Sequence, residues 1–162
     1  MIKFLSGTLN TKIPKFVSNN FKKLKEDKYL DAKHCYRFRS FSEFEVRKNK
    51  TILKKNRNFY QKKEINHYAG NISRRFKPID PDCLKTFINI TKELICHLPK
   101  KFQNFSAIGA HQIRIKCSNN FVGYPVPEGW HKDMCDYVAI ITINYDNIVG
   151  GTSRIRENLN DQ

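Results

Sequence analysis

With 162 residues, 40% of them hydrophobic, and a formal charge of +15, the chain is long enough to bury a core and too apolar to stay disordered. It contains no run of about 18 apolar residues, so no membrane span is expected, and Met1–Phe16 lacks the continuous apolar stretch of about 7–15 residues that a secretory signal needs. Five cysteines, odd in number and widely spaced, predict reduced thiols in a cytoplasmic protein, not a disulfide framework.

The charge is unevenly placed. Residues 1–77 hold 21 Lys/Arg against six acids, and residues 78–162 hold nine of each. The basic half would attract phosphates or an anionic surface. The abundance of Asn, Ile and Phe beside Lys offers a plainer source, an AT-rich coding sequence.

In chain order, residues 1–30 form a basic lead-in with a short helix expected near Asn20–Leu30, and residues 31–162 form the domain proper. From His34 to Val46 the apolar residues alternate only in part: Tyr36 and Phe38 keep a period of two, then Phe41, Phe44 and Val46 break it, mixing strand and turn. Asn49–Asn58 reads as a polar, basic connection. Asp80-Pro81 opens the clearest helix, with Asp as N-cap and Pro in the first helical position. Leu84, Phe87, Ile88, Thr91, Leu94, Ile95 and Leu98 follow at helical spacing up to Pro99. Ala110–Cys117 alternates as a strand, His111, Ile113 and Ile115 on one face and Gln112 and Arg114 on the other. After a turn-rich Ser118–Gly129, the β-branched run Tyr137–Asn144 predicts a buried strand. The outline is α+β with a mainly antiparallel sheet.

The chemistry concentrates at His131-Lys132-Asp133. On extended backbone, residues two apart project to one face about 6.6 Å apart, so an imidazole and a carboxylate can lean onto a shared ion. With one further histidine they form the facial triad of non-haem Fe(II) oxygenases. The alternative is two polar residues in a solvated loop. A Cys135–His131 nucleophilic pair is disfavoured by a separation of about 13 Å along extended chain, and zinc by the lack of any C-x-x-C.

The stretch around this pair resembles the 2-oxoglutarate/Fe(II) dioxygenases typified by the free L-isoleucine hydroxylases. The resemblance is carried by His111-Gln112-Ile113-Arg114; by Pro125, Pro127, Glu128, Gly129, His131, Asp133, Asp136 and Val138; and by Asn147, Gly150 and Gly151. Upstream, Tyr36-Arg37-Phe38-Arg39, Phe59-Tyr60-Gln61, Asn66 and Arg74-Arg75-Phe76 also match, so it spans about residues 34–156.

It implies a double-stranded β-helix (jelly-roll) core, incomplete at the C-terminus, with a helical N-terminal part. It also implies Fe(II) held by His131 and Asp133, 2-oxoglutarate as co-substrate, and hydroxylation of a small molecule, a free amino acid first. Gln112, Arg114 and Glu128 are the candidate pocket residues, Asp136 a brace behind the ligands, and His111 a core histidine. The pattern's distal histidine and arginine have no counterpart in the 29 residues after Asp133. The expectation is therefore a C-terminally truncated relative, and an inactive descendant stays open, since two ligands hold Fe(II) poorly. The competing function is a non-catalytic basic protein binding nucleic acid, with Tyr36, Arg37, Phe38 and Arg39 stacking on and pairing with a single strand.

Overall fold

A computed structural model describes residues 4–30, 35–47, 50–54, 58–98, 106–131, 133 and 135–156. Its elements run α1 (Lys15–Asn20), a 3-10 turn (Phe21–Lys23), β1 (Lys25–Glu26), β2 (Arg37–Arg47), β3 (Lys50–Lys54), α2 (Pro81–Cys96) and β4 (Ala107–Ile115).

The four strands make one antiparallel sheet with β2 at its centre. β4 pairs along Arg37–Glu45 on one edge of β2. The other edge is shared: β1 takes Phe38 and Arg39, β3 takes Glu43–Arg47, and Lys77 bridges Ser40 between them. β2 is thus a single eleven-residue strand where sequence reading mixes strand with turn, because a partner on both edges holds it extended despite its broken apolar period.

Strand alternation divides the sheet into two faces. Phe38, Ser40, Ser42 and Phe44 share one face with Arg114, Gln112, Ala110 and Ile108. The helices cover this face, where Val17, Ile79 and Cys83 form a core with Ile13, Leu84, Phe87 and Ala110. Its polar atoms are bonded: Ser40 donates to Gln112 Oε1 at 2.8 Å, and the Ser42 hydroxyl oxygen accepts the Ile79 N–H at 3.0 Å. The second face carries Arg37, Arg39 and Phe41 with Ile115, Ile113 and His111.

α2 starts where Asp80-Pro81 predicts. Asp80 Oδ1 accepts the Asp82 N–H at 3.1 Å, and its Oδ2 accepts from Asn20 Nδ2 at 3.1 Å, tying α1 to α2. Cys83, Thr86 and Ile90 are its buried face. The first helix lies earlier than expected, at Lys15–Asn20, with Pro14 as its N-cap. The Asn49–Asn58 connection contains β3, whose Thr51, Ile52 and Leu53 pair with β2. The largest departure is Tyr137–Asn144, which is neither buried nor paired as a strand. Its β-branched composition suits a strand, but a strand needs a neighbour to bond its backbone, and the segment is in no strand ladder of the described residues. The described residues form one sheet, so the second sheet of a jelly roll is not among them.

Candidate active site

The loop after β4 shapes the His131–Asp133 pair. The Gly129 N–H donates to the Val126 carbonyl at 3.2 Å, closing a turn, and Gly129 has φ +69°, a left-handed conformation that favours glycine. The Gly129 carbonyl then lies 2.9 Å from His131 Nδ1. A carbonyl can only accept, so Nδ1 is the donor, which in a neutral ring leaves the Nε2 lone pair for an ion, the usual arrangement of a metal-binding imidazole. That Nε2 is 3.7 Å from Asp133 Oδ1, and the two side chains are 22% and 36% exposed. Two donors at about 2.1 Å from one ion, at right angles, stand roughly 3 Å apart, so a small closing motion would let both reach one cation. A neutral imidazole nitrogen and a carboxylate oxygen suit ferrous iron. They are two donors: no group of three or more His, Cys, Asp or Glu able to hold a metal occurs among the described residues.

Behind the pair runs a polar relay. Gln61 Nε2 donates to Asp133 Oδ1 at 3.3 Å, while Gln61 Oε1 accepts from Asn66 Nδ2 at 3.1 Å and from Arg74 Nη2 at 2.5 Å. Asn66 Nδ2 also reaches Glu128 Oε1 at 3.3 Å, and Asn66 Oδ1 accepts the Ala69 N–H at 2.7 Å. The segment is pinned by Phe59 and Arg74, which exchange backbone hydrogen bonds at 2.8 and 2.9 Å. Gly70 closes its far end, where an added Cβ would come within 2.4 Å of the Asn66 carbonyl oxygen. Two polar atoms of this group are buried without a partner, Arg74 Nε and Glu128 Oε2.

Alongside lies the second face of the sheet. The Arg39 guanidinium donates to His111 Nδ1 at 2.9 Å and lies 4.9 and 4.8 Å from the ring centroids of Phe59 and Phe76. Arg74 lies 4.6 Å from the Phe59 centroid. His111 stacks on Phe41 at 4.5 Å and meets Phe59 edge-on at 4.7 Å. Burial, then the charge of Arg37, pushes Arg39 down to about 10. Burial also lowers Arg74, and burial together with Arg39 holds His111 well below its ordinary 6.5, so its ring is neutral. Arg37 differs: its Nε bonds Asp27 Oδ2 at 2.9 Å in a fully buried ion pair.

The structure brings together His131, Asp133 and, through Asn66 and Gln61, Glu128. It does not bring Gln112 and Arg114 to them. Both lie on the helix-covered face, Gln112 bonded to Ser40 and Arg114 over the Phe38 ring at 4.2 Å. Asp136 is exposed. His111 is packed against Phe41 and bonded to Arg39, as a core histidine should be. Tyr36, Arg37 and Arg39, expected to stack on and pair with a single strand, are buried, so they are withdrawn from the surface. Gln61, Asn66 and Arg74 receive no role from the sequence, and Arg39 receives one only in the nucleic-acid reading. The other signal in the chain is that each falls in an upstream segment carrying the resemblance.

A family model described as 2OG-Fe dioxygenase matches residues 18–162. No curated protein matches the chain.

Proposed function

The chain belongs to the 2OG-Fe dioxygenase family, and from that premise we propose that it hydroxylates a small substrate, a free amino acid, using Fe(II) and 2-oxoglutarate. Family membership implies an oxidoreductase and both co-reactants. His131 and Asp133 are the residues that would hold the metal. The observation that carries this is their convergence, with Nε2 left free by the Nδ1–Gly129 hydrogen bond. With both bound, iron and 2-oxoglutarate would supply the oxidising power for hydroxylation, one atom of dioxygen going to the substrate and the other to the succinate formed as carbon dioxide is released. Gln61 donates an N–H to Asp133 Oδ1, the same oxygen that faces His131 Nε2, and so would orient the carboxylate toward the metal. Glu128 Oε2, buried and unpartnered, suits the ammonium group of an amino acid. The jelly-roll core belongs to this reading, with β2 and β4 as two of its strands.

The test is metal uptake read beside turnover. Wild-type protein should take up Fe(II) one-to-one, and His131→Ala and Asp133→Ala should each weaken uptake at least about tenfold, the scale of a lost ligand interaction. Succinate release should rise when an amino acid substrate is added. Iron affinity unchanged in His131→Ala would remove that residue from the metal site.

A further inference from the structure

We propose that Arg156 is a positioning residue for His131: its guanidinium, seated over the Trp130 ring, holds the backbone from which the imidazole is aimed. What this does for a metal rests on the dioxygenase reading; the positioning itself does not. His131 Nδ1 bonds the carbonyl of Gly129, so that hydrogen bond spans a single residue, Trp130. The backbone angles of Trp130 therefore decide whether the imidazole meets the carbonyl, and with it where Nε2 points. Gly129 gives little restraint of its own, because glycine enters and leaves its φ of +69° freely. The rest of the loop is held from the sheet side. Arg37 Nη1 donates to the Pro125 carbonyl at 3.5 Å, and Asn66 and Gln61 reach Glu128 and Asp133, each at 3.3 Å. None of these three bonds is made to Trp130 or His131.

Trp130 is met instead by the returning chain, where Arg156 Cζ lies 4.0 Å from its ring centroid. Asn147, Gly150 and Gly151, with φ of +50°, +90° and +76°, turn the chain back after Tyr137–Asn144. Arg156 is half-buried at the contact, while Arg154, two positions earlier, is exposed. Indole is the best aromatic face for a cation, and a guanidinium over it keeps its N–H edge for water. Charge gives the inference a sign. Repulsion alone would make removal of a cation near a metal site strengthen metal binding. A clamp makes the same removal weaken it, because His131 then samples orientations that miss the ion.

The experiment uses the full chain and titrates Fe(II) anaerobically by calorimetry. Arg156→Met should weaken Fe(II) binding about two- to fivefold, the scale of a cation–π contact at an exposed ring. Arg156→Lys, which keeps a cation over the ring, should recover most of that loss. Arg154→Met makes the same change of charge and should bind Fe(II) as the wild type does or slightly more tightly. In metal-free protein, ¹H–¹⁵N spectra of the His131 ring in alkaline buffer should show chiefly the Nδ1–H tautomer in the wild type and a smaller share of it in Arg156→Met. Trp130 is the single tryptophan, so its fluorescence should also become more open to acrylamide in that variant. Should Arg156→Met not fold, Trp130→Leu removes the contact from the other side and should give the same losses of iron affinity and of tautomer. Iron uptake that is absent, or unaffected by His131→Ala, strikes the metal reading, and the tautomer then decides alone whether Arg156 positions His131. Fe(II) bound by Arg156→Met at least as tightly as by the wild type, an equal loss in Arg154→Met, or an unchanged His131 tautomer would each overturn the proposal.

Discussion

Asn66 uses its amide three ways, donating to Gln61 and Glu128 and accepting from the Ala69 backbone, inside a site that is almost fully buried. Asn66→Ala leaves Glu128 Oε1 and the Ala69 N–H unmet and removes one of the two donors to Gln61 Oε1. It should cost about 2–4 kcal/mol, as broken buried networks do, read as a lower urea midpoint with an unchanged slope. His111 sets a pH dependence at the same scale. Its folded pKa lies below the ordinary value of 6.5, from burial first and Arg39 second. Below that ordinary value the unfolded chain binds a proton that the folded chain does not, so stability falls as pH drops from about 6.5, by at most about 1.4 kcal/mol per unit. His111→Gln, which does not titrate, should flatten that acid limb in urea melts at pH 7.0 and 5.5. The approach of His131 to Asp133 was legible because the two residues stand two positions apart in the chain. The relay behind the pair was not, because folding has to bring Gln61 to Asp133 across 72 residues and Asn66 to Glu128 across 62.

At the scale of elements, Asp80 does two jobs: it caps α2 and anchors Asn20 of α1. Asp80→Ala should therefore cost at least the roughly 0.5–2 kcal/mol of an ordinary N-cap. Restoring the cap alone with Asp80→Ser should recover only part of it, as measured by thermal melts. α2 was legible because its cap, proline and apolar period all lie within it. β3 and the pairing of β2 were obscured, since a strand's stability is written in its neighbours. Tyr137–Asn144 shows the converse: strong strand composition that is not assigned to any strand of the sheet.

For the whole molecule, the consequence is a surface burden. Ile140 is 75% exposed, and Val138, Tyr145 and Val149 are exposed beside it in the chain. Exposed, β-branched and apolar segments of this kind promote association. The protein should self-associate with rising concentration, and Ile140→Lys with Val138→Lys should reduce that association in sedimentation runs while leaving Tm within a few degrees, a shift of about 1 kcal/mol or less. The α+β class and antiparallel sheet were legible as a whole. How α1 and α2 share one face of the sheet and leave the other to the arginines was not, because both β2 faces carry polar and aromatic residues alike.

Gln61 speaks to both ends of that arginine-bearing face. Its oxygen is engaged by Arg74 and Asn66 and its nitrogen by Asp133, so the amide cannot flip without losing all three bonds. Whatever tugs on the guanidinium is thereby felt at the carboxylate, and linkage makes the effect mutual.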